Sequence, residues 1–299
     1  MKNILVFMDC HGHQIIKNLK NNGRFIQDFK IDQILLNHYV VEMFPYYKNT
    51  KLEDNDITLL READVLILQV IESGARGRDF LNNCNVIKYC KNDCLIIKIP
   101  HYRNSIYGYK TLENKNDKGE LIKNWDLPNK IENIDDIDGT KQIIQNEIDK
   151  MNTFPHDREE MLKNMNFKIS EFAKIANLSD VKMLDYYNNN YKKHRLFIGR
   201  GYPSSAFFFE LTNRLLNLLN YKSNSEFVDY YIFQNTSEPI PEYWYKFCKF
   251  SFDNTYYTFK NIEITQCEWY YILLLSRNVN IESADENLKY LKKIRGSTF

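Results

Sequence analysis

Apolar positions in this chain gather into short, nearly continuous runs in the first hundred residues and into helical spacing beyond them. Ile4–Met8, Ala63–Leu68 and Cys94–Ile99 are such runs, rich in β-branched and aliphatic residues. A strand covered on both faces of a parallel sheet carries this pattern, because neither face meets water. Ile15, Ile16 and Leu19 share one helical face, and helical spacing returns over 52–61. His38–Met43, β-branched and aromatic, reads as a further strand. The βα alternation predicts an α/β fold, a parallel sheet with helices on both sides.

Later segments are mainly helical. Residues 110–140 are polar, with Gly119, Gly139 and an acidic stretch from Ile134 to Asp138, and read as a lid or insertion loop. Thr153 is the expected cap of a helix reaching Ala176, with Asp157, Glu159 and Glu160 in its first turn. Ser179-Asp180 is expected to open another helix, with Val181, Leu184 and Tyr187 on one face. Arg195–Gly199 reads as a short strand. The turn through Arg200, Tyr202, Ser204 and Ser205 feeds an apolar helix from Ala206 to about Asn220, and 266–275 reads as a buried helix. With no repeat and no low-complexity tail, 1–299 is expected to be one domain, mainly helical from about 150.

Composition narrows the function. Forty basic residues face 39 acidic ones, a net charge of +1, so no global field draws the chain to nucleic acid or a membrane surface. No stretch approaches the ~20 apolar residues of a membrane span. Six cysteines include no CxxC pair, and no zinc spacing is visible. Reduced thiols, no metal and a cytoplasmic location are the expectations.

The three strand-like runs end in reactive residues: Asp9-Cys10-His11-Gly12-His13, then Gln69, then Pro100-His101-Tyr102-Arg103. Ligands of open α/β sheets bind outside the carboxyl ends of the strands. Cys10, His11, Gln69 and His101 are therefore expected to converge.

These motifs resemble those of the WcbI family of polysaccharide biosynthesis enzymes. Met8-Asp9-Cys10-His11 stands where the family has Gly-Asn-Cys-Gln, and Asp64-Val-Leu-Ile-Leu-Gln69 matches its Asp-Val strand ending in Gln. Ile99-Pro100 with Gly108-Tyr109, and Arg195-Leu196-Phe197 with Tyr202-Pro203-Ser204, follow in the family's order. The resemblance implies a single flavodoxin-like domain similar to SGNH hydrolases, coenzyme A as ligand, and sugar acetylation. The chain also looks like the amino-sugar (viosamine-type) N-acetyltransferase domain of giant viruses, which its Asn and Lys bias suits and which would put it in the host cytoplasm. The family's Gln after Cys is His11 here, and its late histidine is Tyr202. The second change argues for transfer without a covalent intermediate.

N-acetylation from acetyl-CoA needs a base, donors for the oxyanion, and groups that hold the phosphates of the co-substrate. His11 is the preferred base, against a turn-capping histidine, with His101 the alternative base. His13 should point elsewhere. Cys10 is either a nucleophile with a depressed pKa or a small buried side chain. The N–H groups of Cys10 and Gly12 are candidate oxyanion donors. Asp9 caps a helix or orients a histidine. Gln69 needs a partner, either a substrate group or backbone. Arg76 and Arg78 form one phosphate candidate, and Arg200, Tyr202, Ser204 and Ser205 another. Lys192–Arg195 reads as a solvated helix end, and the aromatic clusters as core. The leading expectation is an acetyl-CoA-dependent acetyltransferase acting on a nucleotide-linked amino sugar. An SGNH-type esterase or deacetylase using Cys10, and a non-catalytic carbohydrate-binding protein, are the alternatives.

Overall fold

A computed structural model describes residues 1–36, 51–70, 83–104, 106–107, 113–115, 121–123, 131, 136–153, 157–198, 202–225, 240–253, 257–259, 262–271 and 295. In chain order the elements are β1 (Lys2–Met8), α1 (His11–Lys20), α2 (Phe25–Asp28), β2 (Phe29–Leu35), α3 (Asp54–Glu62), β3 (Val65–Val70), α4 (Asn83–Ile87) and β4 (Leu95–Pro100). They continue with β5 (Glu113–Lys115), β6 (Leu121–Lys123), α5 (Ile137–Thr153), α6 (Arg158–Asn177) and α7 (Leu184–Asn190). The last are β7 (Phe197–Ile198), β8 (Tyr202–Pro203), α8 (Ser205–Leu218), α9 (Glu242–Cys248), β9 (Tyr257–Phe259) and β10 (Ile262–Ile264). The chain forms two compact units, 1–103 with 170–190 and 203–231, and 104–169 with 191–202 and 232–299.

The first unit holds the expected α/β fold. Its four strands run β2-β1-β3-β4, all parallel, with Val6 beside Gln33 and Ile67 and with Ile67 beside Ile97. Five successive residues of β1, Ile4 to Met8, are buried, so helices must cover both faces. Leu5 and Phe7 pack with Leu60 of α3 and Val86 of α4. Val6 and Met8 face α1 so closely that a Cβ on Gly12 would stand 3.2 and 3.1 Å from them, and 3.0 Å from Gln33 Nε2. Glycine is therefore the residue that lets the first turn of α1 sit on the sheet. Burying each of these side chains stabilises the fold by ~1.5–3 kcal/mol.

Around this sheet, Phe172 stacks on Tyr187 with ring centroids 3.9 Å apart, and Tyr102 packs edge-on against Phe207. Arg214 of α8 reaches Asp185 of α7 and Glu210. In the second unit, Trp244 Nε1 donates to the Ile106 carbonyl (2.7 Å), and the Tyr107 hydroxyl donates to those of Tyr191 and His194. Here β5 pairs with β6 and β9 with β10, both antiparallel. No described helix is long and apolar enough to cross a membrane.

Four expectations shift. The strand at 29–35 has no counterpart in the pattern of the sequence, whereas His38–Met43 lies outside the described residues. Thr153 closes α5, its hydroxyl donating to Asp149, while Asp157 caps α6 by accepting from the N–H groups of Glu159 and Glu160. The acidic stretch before 140 starts a helix rather than ending a loop. Asp136 accepts from the Gly139 N–H and α5 begins at Ile137. Ser179-Asp180 opens no helix. Asp180 N–H donates to the Lys98 carbonyl (2.9 Å) and its carboxylate accepts from the Lys98 N–H (2.7 Å), which satisfies the free edge of β4.

Candidate active site

Three neighbouring strands end together, and each end is marked by polar residues. After β1 the chain turns through Asp9 and Cys10 directly into α1. Gln69 is the second-last residue of β3, and His101 comes directly after the last residue of β4. Parallel register places these positions side by side at the carboxyl edge of the sheet.

Asp9 organises the cluster. Its N–H donates to Gln69 Oε1 (3.0 Å), and its Oδ1 accepts from the His11 N–H (3.0 Å). Oδ1 also lies 3.7 Å from His11 Nδ1, and Oδ2 lies 3.3 Å from His101 Nε2. The Asp9–His101 contact has the distance of a hydrogen bond without its full alignment. Unliganded sites often show this before substrate tightens them. The two imidazoles lie 4.4 Å apart, tilted by 38°, and Phe208 meets His11 edge-on at 5.3 Å.

Burial separates the two histidines. His11 is 3% exposed, whereas the His101 side chain retains 18% of its exposure. Burial pushes the His11 pKa below its ordinary value, with the Asp9 carboxylate opposing and the Arg103 charge adding to the fall. His11 is therefore neutral at pH 7. Burial, and then Asp9, push the Cys10 thiol up to about 11, which goes against the nucleophile with a depressed pKa, one of the two readings of this residue. A thiol so protonated is a poor nucleophile. Asp9, His11 and His101 also present ligand atoms within 4.8 Å of one another, a donor set that suits a divalent transition metal.

The remaining candidates separate. His13 is exposed. Gln69 has the backbone partner that was the plainer of its two readings. The Gly12 N–H, a candidate oxyanion donor, is engaged by the Asp9 carbonyl (2.9 Å). Ser204 caps α8 by accepting from the Phe207 N–H (3.3 Å), and Ser205 is buried. Tyr202 belongs to the second unit and is half-buried. Arg76, Arg78 and Arg200 lie outside the described residues. Phe207, Phe208, Trp244, Tyr270 and Tyr271 are buried core. Arg103, which ends the third reactive run and was given no role by the sequence, bears through its charge on both Cys10 and His11. Its signal was a cation two residues past His101 at the same strand end.

No protein-family model matches the chain, and no curated protein matches it. Among solved structures it is similar to WcbI, described as a novel polysaccharide biosynthesis enzyme, in its native form without a disulfide bond between coenzyme A and a cysteine. The TM-score is 0.61 at 12% identity, over 99% of this chain and 96% of that one. At this identity the likeness is one of fold.

Proposed function

We propose that the chain is a coenzyme A-dependent acyltransferase of glycan biosynthesis, moving the acetyl group of acetyl-CoA to the amine of a nucleotide-linked amino sugar. The observation that carries this reading is the Asp9–His11–His101 cluster at the carboxyl ends of β1 and β4. The whole-chain fold likeness to WcbI, a polysaccharide biosynthesis enzyme described together with coenzyme A, supports the substrate class.

The chemistry follows from exposure. A base must reach the acceptor proton, and His101 is the more open of the two rings. His101 takes the proton as the amine attacks the thioester carbon, while Asp9 orients the ring and stabilises the imidazolium. The tetrahedral intermediate collapses by breaking the carbon–sulfur bond, and coenzyme A leaves as its thiol with the proton held by His101. Arg103 offers positive charge to the oxyanion or to a phosphate. Arg76, Arg78 and Arg200 are proposed as further phosphate ligands, and Ser204 contributes through the helix end that it caps. The high thiol pKa of Cys10 favours direct transfer over a covalent route. Acetyl-CoA and nucleotide sugars are cytoplasmic, so the proposed location is the cytoplasm.

Tyr202 in place of the family's late histidine favours an amine acceptor over a hydroxyl, because it removes one source of bracing for the base. The Asp9–His101 contact supplies bracing of its own, so the acceptor is decided by experiment. Matched sugars carrying NH₂ or OH at one carbon are compared, with and without the nucleotide. Faster acetylation of the nucleotide-linked amine is expected. A faster hydroxyl would overturn the amine, and equal rates on the free sugar would remove the nucleotide.

A further inference from the structure

The proposed transfer uses one imidazole as its base, yet a second, His11, is buried beside it. The two rings approach opposite oxygens of one carboxylate. His101 Nε2 lies 3.3 Å from Asp9 Oδ2, and His11 Nδ1 lies 3.7 Å from Asp9 Oδ1. Taken one donor atom from each residue, all three lie within 4.8 Å of one another. A tetrahedral ion with bonds of ~2.0–2.2 Å holds neighbouring ligand atoms about 3.4 Å apart. The three side chains thus stand near the spacing that one such ion imposes, and a shift on the order of 1 Å by side-chain rotation closes the difference.

The surroundings hold this donor set in place. Asp9 Oδ1 accepts the His11 N–H (3.0 Å), and the Asp9 N–H donates to Gln69 Oε1 (3.0 Å), so the side chain and the backbone of Asp9 are both tied. Phe208 meets the His11 ring edge-on and seats it. Ligands whose own positions are fixed in this way lose little freedom when an ion arrives. His101 is only partly buried, which gives an ion a way in and leaves room for water as a fourth ligand. Two nitrogens and one oxygen suit zinc and its divalent neighbours. Magnesium and calcium, which take oxygen ligands, are not served by such a set.

We propose that Asp9, His11 and His101 bind Zn²⁺ or a similar divalent transition ion, and that the bound ion inhibits acyl transfer. The inhibition rests on the proposed function, in which His101 is the base; the binding does not. In the base role, His101 Nε2 carries the proton that faces Asp9, and Nδ1 takes the proton of the acceptor. An ion on Nε2 leaves the proton of the neutral ring on Nδ1, so the accepting atom is already occupied. The same ion draws Asp9 into its own coordination and ends the bracing of the ring. Binding and release change no covalent bond, so a chelator reverses the effect.

The test has a binding arm and an activity arm. Chelator-treated wild type, Asp9→Asn, His101→Ala and His101→Gln are titrated with Zn²⁺ against a coloured indicator, without substrate, and circular dichroism confirms that each variant is folded. Wild type should take up one equivalent that survives gel filtration. Each variant should bind it at least about 10–100-fold more weakly, since losing even an outer partner of a metal ligand costs that much. Mg²⁺ at the same concentration should not compete. No uptake by wild type, or uptake undiminished in both His101 variants, which would place the ion on a thiol such as the exposed Cys84, overturns the site. In the activity arm, filling the site should stop acetyl transfer and a chelator should restore it. A rate that is unchanged or raised by Zn²⁺ overturns the inhibition and leaves the acyltransferase standing. A filled site in a chain whose chelator-treated form transfers no acetyl group overturns the acyltransferase and leaves the site standing.

Discussion

His101 Nε2 stands 3.3 Å from Asp9 Oδ2, although β3 lies between the strands that carry them. Strands two apart are about 10 Å from each other, so the residues must lean across the end of β3 to meet. Gln69, at that end, accepts the Asp9 N–H and so holds the Asp9 backbone at the end of β3. The pair is the arrangement of a braced general base, and its removal is the first consequence to measure.

Asp9→Asn keeps shape and removes charge, while His101→Ala removes the base. Each should lower kcat by about 10²–10⁴-fold, because general base catalysis is of that size. The double variant should be little worse than the worse single one, since the two act as a unit. Steady-state rates at saturating acetyl-CoA read this directly. A chelator should leave the wild-type rate unchanged. A loss restored by added metal would turn the three ligand atoms into a metal centre.

His11 gives a pH signature in stability. Its folded pKa is depressed below the ordinary ~6.5, so between those two values the unfolded chain binds more protons. The contribution is fully present above about pH 6.5, falls as pH drops through that value, and levels off below the folded pKa. The slope from this one group is at most ~1.4 kcal/mol per pH unit. His11→Gln, neutral at every pH, should flatten it. Urea midpoints at pH 7.5 and 5.5 test this, and equal acid losses in both proteins would assign the titration elsewhere.

The fold was legible where the apolar run is continuous. β1 and β3 stand out because buried residues fill both of their faces, and β4 because only Lys98 breaks its apolar run, although Leu95 and Lys98 are exposed at the sheet's edge. β2 was missed because it neighbours only β1 among the described strands and mixes exposed Lys30 with buried Phe29 and Ile34. Thr153 and Asp157 are both good caps by type, and only the N–H groups that each reaches decide between them. The convergence of strand ends was legible for His11, Gln69 and His101. That Asp9 would serve both histidines was not, because the leaning of two loops over β3 leaves no trace in residue spacing. Of the two readings of Cys10, the lowered pKa of a nucleophile is the one its surroundings oppose, because desolvation and a neighbouring carboxylate outweigh a helix terminus.

Cys10→Ser should therefore keep turnover within a few-fold of wild type, far less than the loss in His101→Ala or His11→Ala. At pH 7.5, iodoacetamide should label Cys10 more slowly than the exposed Cys84. An acetyl group found on Cys10 during turnover, with activity abolished in the serine variant, would establish the covalent route instead.

Arg103 and Ser204 should separate binding from architecture. Arg103→Ala should raise KM for acetyl-CoA about tenfold, a charge-assisted contact being worth ~1.5–3 kcal/mol, with a weaker salt dependence than wild type. Ser204→Ala removes the cap of α8 and should cost ~0.5–2 kcal/mol in unfolding free energy, with a smaller rise in KM than Arg103→Ala. A raised KM in Ser204→Ala without loss of stability would give that hydroxyl a ligand.

The central claim is acyl transfer from coenzyme A at the Asp9–His101 cluster. It is tested by incubating wild type, Asp9→Asn and His101→Ala with acetyl-CoA and a panel of nucleotide-linked amino sugars, following free thiol and product mass together. The account predicts thiol released in step with a singly acetylated sugar by wild type, and both signals lost together in the two variants. Thiol release matched by free acetate without an acceptor, or transfer undiminished in Asp9→Asn and His101→Ala, would contradict it.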